Sequence, residues 1–284
     1  MRSGFPQQAR PGHLKENTMT SDSKGWALIL GASSGFGGAT SRELAKNGFD
    51  IFGVHLDMRS TLPNAEAIQK DIEAAGRRAV FFNVNAADAG KRAEVMARIV
   101  EETSKDGSFV RVVLHSLAFG ALQPVIGEDA KTSLSQRQLE MTLDVMANSL
   151  LYWVQDLVAA NLLRKGSRIF AMTSSGSTRV MKSYGAVSAA KAALESNLRQ
   201  LAHELAPLGV TANAIRAGVT DTPALRRIPE GITLLERVQK SHPMGRATTP
   251  EDIAQTIAVL SDERLQWLTG NVLGVDGGEE ITLI

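Results

Sequence analysis

A phenol and an ammonium seven residues apart, Tyr184 and Lys191, are the side chains best suited to chemistry in this 284-residue chain. A phenol can donate to an oxygen on which negative charge develops, and a nearby ammonium can lower the phenol's pKa. Seven helical residues turn through about 700°, so the pair falls near one face, roughly 10 Å apart. The phenol then stands displaced from its helper, or Tyr184 lies just ahead of the helix. Taken singly, the two would be a half-buried aromatic and a solvated lysine. Ser174, flanked by Thr173 and Ser175, is a candidate third hydroxyl ten residues upstream. His115, His203 and His242 are not spaced to hold a metal, and no metal site is expected. The chain has no cysteine, which rules out disulfides and a thiolate nucleophile.

A second feature is the glycine-rich run Gly31-Ala32-Ser33-Ser34-Gly35-Phe36-Gly37. It follows a five-residue apolar stretch and precedes a segment of helical period. In that setting Gly31 permits a tight turn, Gly35 lets backbone approach a pyrophosphate, and Gly37 allows close helix–strand packing. The helix beyond offers free N–H groups and a partial positive charge to phosphates. A plain tight turn is the competing explanation, and the strand–turn–helix context weighs against it.

The elements that must position these groups read as short apolar strands alternating with helices. Strands are expected over 26–30, 51–56, 79–84, 110–114, 168–172, 210–215 and 271–275. Asn64 is expected to cap a second helix, Asp88 a third, and Thr249 with Pro250 a last one. A long amphipathic stretch carries Leu139, Leu143, Met146, Leu150, Val154 and Leu157. Another helix spans about 185–206 and stops at Pro207. Repeated strand–helix–strand order implies an α/β fold, a Rossmann-type doubly wound parallel sheet of about seven strands with helices on both faces. Residues 1–24, polar and containing two Pro and two Gly, are expected to form a disordered tail, and 25–284 a single nucleotide-binding and catalytic domain. The formal net charge of +1 gives no field favouring nucleic acid or an anionic membrane. No apolar run reaches the roughly 18 residues of a membrane span. Lack of cysteine suits a cytoplasmic location.

The glycine run resembles the cofactor loop of the short-chain dehydrogenase/reductase family, and the similarity extends over 25–284. Asn83-Val84 lies where that family places residues against adenine. Ala217-Gly218-Val219-Thr220-Asp221-Thr222 resembles its segment against the nicotinamide carboxamide, which implicates Gly218, Thr220 and Thr222. Asn271 through Gly278 resembles its closing strand and turn. The resemblance gives Lys191 a hydrogen bond to the nicotinamide ribose and an acidifying effect on Tyr184. Tyr-x6-Lys, in place of the commoner Tyr-x3-Lys, resembles the enoyl-acyl-carrier-protein reductase branch. So does His115-Ser116-Leu117-Ala118-Phe119-Gly120, which brings Ser116 to the cofactor, as does Met146 where ketone reductases keep a relay asparagine.

Reduction at the β-carbon of an enoyl thioester develops charge on the remote thioester oxygen, and an outwardly displaced phenol suits that enolate. The implied function is NAD(P)H-dependent reduction of an enoyl thioester carried by acyl carrier protein or CoA. The branch's usual second tyrosine is missing, since only Tyr152 and Tyr184 occur. A carbonyl or 3-oxoacyl reductase, or a non-catalytic nucleotide-binding protein, therefore stays open. Seven residues past Gly48, where the family keeps an acid, stands His55, followed by Asp57 and Arg59. His55 and Arg59 suit a 2′-phosphate, Asp57 opposes it if it points inward, and NADP(H) is preferred over NAD(H). Residues 222–246 are expected to cover the substrate as a mobile lid. Its Leu225, Ile228, Ile232, Leu234 and Leu235 line an acyl channel or form one helical stripe. A homotetramer or homodimer is implied by the family resemblance.

Overall fold

The computed structural model describes residues 23–282. Most of the tail expected at 1–24 lies outside the described residues. Its last two residues already belong to the fold, because the Ser23 hydroxyl donates to the Asp50 carboxylate and the Lys24 N–H to the Gly48 carbonyl.

Seven parallel strands form one sheet in the order β3-β2-β1-β4-β5-β6-β7. They are β1 (Trp26–Leu30), β2 (Asp50–His55), β3 (Ala79–Asn83), β4 (Val110–His115), β5 (Arg168–Thr173), β6 (Thr211–Ala217) and β7 (Val272–Val275). Every residue of β1, β2 and β5 is buried. Helices on both faces hide these strands, so their apolar runs are continuous rather than alternating. One core layer joins the sheet to α3 (Ala89–Ser104), α5 (Ser149–Ala159) and α6 (Gly185–Leu205). The other joins it to α1 (Gly35–Lys46), α2 (Leu62–Ala74) and α8 (Pro250–Leu260).

The expected caps divide. Asp88 accepts from the Lys91 N–H, and Thr249 forms a reciprocal capping box with Asp252 ahead of Pro250. Asn64 is not a cap: α2 begins at Leu62, and Pro63 occupies its first turn, where a missing N–H costs nothing. The amphipathic stretch 139–157 is not one uniform helix. Between α4 (Gln136–Leu143) and α5 the backbone widens into a π-helical turn at Asp144–Asn148. Such bulges locate at functional sites more often than chance, and this one faces β4 and α6.

Candidate active site

Strand order reverses at β1, whose neighbours are β2 and β4, and the crevice beyond its carboxyl end is where an open α/β sheet binds ligands. The glycine run turns sharply there, with the Gly31 and Ala32 N–H groups both donating to the Val54 carbonyl at 2.8 and 3.0 Å. Gly31 has φ +96°, and a Cβ on it would meet the Ser116 carbonyl oxygen at 2.6 Å; one on Gly37 would meet the Gly31 oxygen at 2.0 Å. No side chain fits either place. Across the opening, Thr222 is the nearest neighbour of Gly35. Ser34 takes the N-cap position of α1 without a side-chain cap bond, and the first turn has no acidic residue. Those amides are left facing the crevice with positive partial charge, which fits a pyrophosphate.

At one end of the crevice Asp57 points inward. Its carboxylate lies 2.8 Å from His55 Nδ1. Burial alone would raise its pKa, but hydrogen bonds from Thr61, Ser33 and His55 bring it below the usual carboxylate value. Asn83 accepts from the Asp57 N–H at 2.8 Å and donates to its carbonyl at 3.0 Å, so its side chain clamps this loop. The Val84 N–H donates to the His55 carbonyl. Arg59 is exposed. Of the three residues expected around a ribose 2′-position, the fold carries Asp57 to the glycine loop and leaves Arg59 outside. Thr61, which spacing did not single out, completes the group.

At the other end, Tyr184 is the N-cap residue of α6, just ahead of the helix. Ser183 before it adopts φ 59°, which swings the chain into the helix. The phenol ring is buried beside Met146, Val187 and Ala190, with Leu122, Met181 and Ile228 packed around them. A Cβ on Gly176 would stand 2.5 Å from the ring, so the turn after β5 needs glycine there. Burial pushes the phenol pKa up, and Ser174 weakly opposes it. Ser174 Oγ is buried beside the phenol, with no other hydrogen-bond partner.

Lys191 is buried and donates to the Met172 carbonyl at 2.7 Å, at the end of β5. Burial lowers its pKa to about 8, with Glu195 pulling the other way. The ammonium expected to acidify Tyr184 is bound to the Met172 carbonyl, and burial is the main influence on the phenol.

Beneath them His115 is fully buried, its Nε2 2.9 Å from Ser149 Oγ. Since that hydroxyl donates to the Val145 carbonyl in the π-helical turn, Nε2 carries the proton and Nδ1 is left buried without a partner. Burial and the charge of Lys191 hold the imidazole near a pKa of about 3, hence neutral. Among the described residues, no group of three or more His, Cys, Asp or Glu is placed to hold a metal.

The segment after β6 reaches the glycine loop at Thr222. Thr220 Oγ1 donates to the Gly218 carbonyl, and Thr222 Oγ1 accepts from the Leu225 N–H. Residues 222–246, expected as a lid, contain a helix, α7 (Gly231–Ser241). Its apolar residues split by role: Leu225 and Leu235 are buried with Val238 and Ala247, Ile232 is exposed, and Ile228 reaches both this cluster and the one around Tyr184. An exposed ion pair between Lys182 and Glu230, at 3.8 Å, joins the residue before α7 to the loop before Tyr184; such pairs hold little energy.

Residues 31–280 match a family model described as enoyl-(acyl carrier protein) reductase. A 3-oxoacyl-[acyl-carrier-protein] reductase from Aggregatibacter actinomycetemcomitans is 30% identical over 254 residues, 88% of this chain and 97% of that protein. The 1-cyclohexenylcarbonyl-CoA reductase of Streptomyces collinus is 29% identical over 264 residues, 92% of this chain and 89% of that one. In three dimensions the chain is similar to the enoyl-[acyl-carrier-protein] reductase (NADH) of Aquifex aeolicus. The TM-score is 0.79 at 23% identity, over 92% of this chain and 98% of that one, a likeness of fold.

Proposed function

Because the chain belongs to the enoyl-(acyl carrier protein) reductase family of short-chain dehydrogenases/reductases, we propose that it reduces the C2–C3 double bond of an enoyl thioester. The observation that carries this reading is the burial of the Tyr184 phenol among Met146, Val187 and Ala190, which pushes its pKa up. A ketone reductase needs a phenol that gives up its proton, which calls for a pKa near the working pH. A phenol held above its ordinary value stays protonated and serves as a hydrogen-bond donor. That suits an enolate oxygen remote from the carbon being reduced.

The nicotinamide nucleotide supplies the hydride when bound. The chain's own part is to hold it and to stabilise charge. Gly31, Ser33, Ser34, Gly35, Phe36 and Gly37 would cradle the phosphates, and Ser116, Asn83 and Val84 would border the adenosine and the strand ends. Lys191 would reach the nicotinamide ribose, while Gly218, Thr220 and Thr222 would meet the carboxamide. Leu122, Met181 and Ile228 offer an apolar wall to an acyl chain on acyl carrier protein or CoA, and a homo-oligomer accords with the family.

We infer a preference for NAD(H), in place of the NADP(H) that His55 and Arg59 suggested, and the position of Asp57 beside Ser33 supports it. A carboxylate against Ser33 accepts from a ribose 2′-hydroxyl and repels a 2′-phosphate. Asp57→Ser is expected to shift the ratio of kcat/KM for NADPH over NADH upward by about tenfold or more, since like charges at close quarters cost several kcal/mol. An unchanged ratio in steady-state assays would return the preference to Arg59.

One observation favours a carbonyl reductase instead: Ser174 borders the phenol, as a hydroxyl partner would. Crotonoyl-CoA and acetoacetyl-CoA, each offered with NADH and followed at 340 nm, separate the two. Faster oxidation of NADH with crotonoyl-CoA is expected; preference for acetoacetyl-CoA refutes the enoyl reading, and turnover of neither favours a binding protein without catalysis.

A further inference from the structure

The turn after β7 is tied to three segments around the site. The Asp276 carboxylate accepts from the Gly278 and Glu280 N–H groups at 3.0 and 3.2 Å, which folds the turn on itself. His242, at the end of α7, accepts the Met244 N–H at Nδ1, so its Nε2 donates to the Asp276 carbonyl at 2.9 Å. Arg179, in the loop between Ser174 and Tyr184, donates to the Glu280 carbonyl and pairs with its carboxylate, both at 3.1 Å. Glu279 accepts the Val219 N–H with both oxygens, at 2.9 and 3.2 Å.

Val219 belongs to the segment Gly218 to Thr222, whose last residue lies against Gly35 of the glycine loop. Gly218 is pressed under the same carboxylate, since a Cβ there would stand 2.8 Å from Glu279 Oε2 and 2.5 Å from Thr248 Oγ1. The segment has few other restraints of this kind: the Thr220 hydroxyl turns back on the Gly218 carbonyl, and Thr222 caps the start of the lid. Loops of this type bind well only if their backbone is already in place when the ligand arrives.

We propose that Glu279 is a positioning residue for nucleotide binding, whose carboxylate fixes the Gly218–Thr222 backbone in the conformation that receives the nicotinamide half. The adenosine half, bordered by Asp57 and Ser33 on the far side of β1, does not depend on it. This inference rests on the nucleotide-dependent function proposed above.

Direct binding titrations of Glu279→Ala and Glu279→Gln with NADH and with ADP-ribose, which lacks the nicotinamide, test it. Glu279→Ala is expected to weaken NADH about tenfold, equivalent to about 1.4 kcal/mol, and to leave ADP-ribose within about twofold of wild type. Glu279→Gln keeps one acceptor oxygen and is expected to restore NADH affinity to within about threefold. Unchanged NADH affinity in Glu279→Ala, equal losses for both ligands, or a Gln variant no better than Ala overturns the proposal alone. A wild-type protein that binds neither ligand overturns the nucleotide-dependent function as well.

Discussion

Tyr184→Phe is expected to lower kcat on an enoyl thioester by roughly 10²–10³-fold, the usual consequence of removing one donor to a developing oxyanion. Nucleotide affinity should stay within about twofold, since the change removes one hydroxyl from a ring that continues to pack on Met146, Val187 and Ala190. The pH profile of the wild-type enzyme is a second readout. Activity that requires a protonated phenol of raised pKa is lost only above the ordinary tyrosine value, so kcat should be flat through the neutral range as far as this group is concerned. Rapid-mixing measurement of hydride transfer, with binding followed separately, distinguishes the two steps. Full activity in Tyr184→Phe would remove the phenol from the chemistry and the enoyl reading with it.

What could be read before the fold was known follows a physical division. Strands buried on both faces announce themselves as apolar runs, and Trp26–Leu30 sits where its composition puts it. Caps that act within one helical turn, such as Asp88 and Thr249, are legible because donor and acceptor are three residues apart. Asn64 shows the limit of that rule, because Pro63 is equally at home in a first turn and moved the start of α2 upstream. The π-helical turn at Asp144–Asn148 left no mark in the spacing of its apolar residues.

Within the site, residue types were legible and directions were not. Asp57 and Arg59 are two residues apart, and which of them meets the glycine loop depends on hydrogen bonds with Ser33, Thr61 and Asn83. Tyr184 and Lys191 were both visible, but the acidifying charge expected between them requires Lys191 to face the phenol. The Met172 carbonyl, on β5, accepts from the ammonium. Glu279 contacts Val219 across sixty positions of sequence, a pairing that no local pattern encodes. The single cue was an acidic residue directly after the Asp276-Gly277-Gly278 turn.

Lys191→Met is expected to make the protein more stable and far less active. Burial lowers the ammonium pKa from 10.5 to about 8, so holding the charge inside the fold is a net cost at neutral pH. The sign follows from proton counting. Between pH about 8 and about 10.5 the unfolded chain binds more protons at this position than the native one, so this group makes stability rise with pH across that window. A methionine of similar length removes the desolvation cost, worth a few kcal/mol from the pKa difference. It also strands the Met172 carbonyl, which returns about 1–3 kcal/mol of that gain. The balance is a rise in thermal midpoint of a few degrees, on the scale of about 2–4 °C per kcal/mol for a chain of this size. The variant's stability should also lack the wild-type increase between pH 8 and 10.5. Turnover should fall by at least about 100-fold, as is usual when a functional group held at a cost to stability is replaced. Calorimetry across that pH range, paired with assays on crotonoyl-CoA, reads both effects. A variant that unfolds several degrees earlier would mean that Lys191 is a structural peg, its bond to the Met172 carbonyl outweighing its burial. Undiminished turnover would mean that the ammonium has no place in the chemistry.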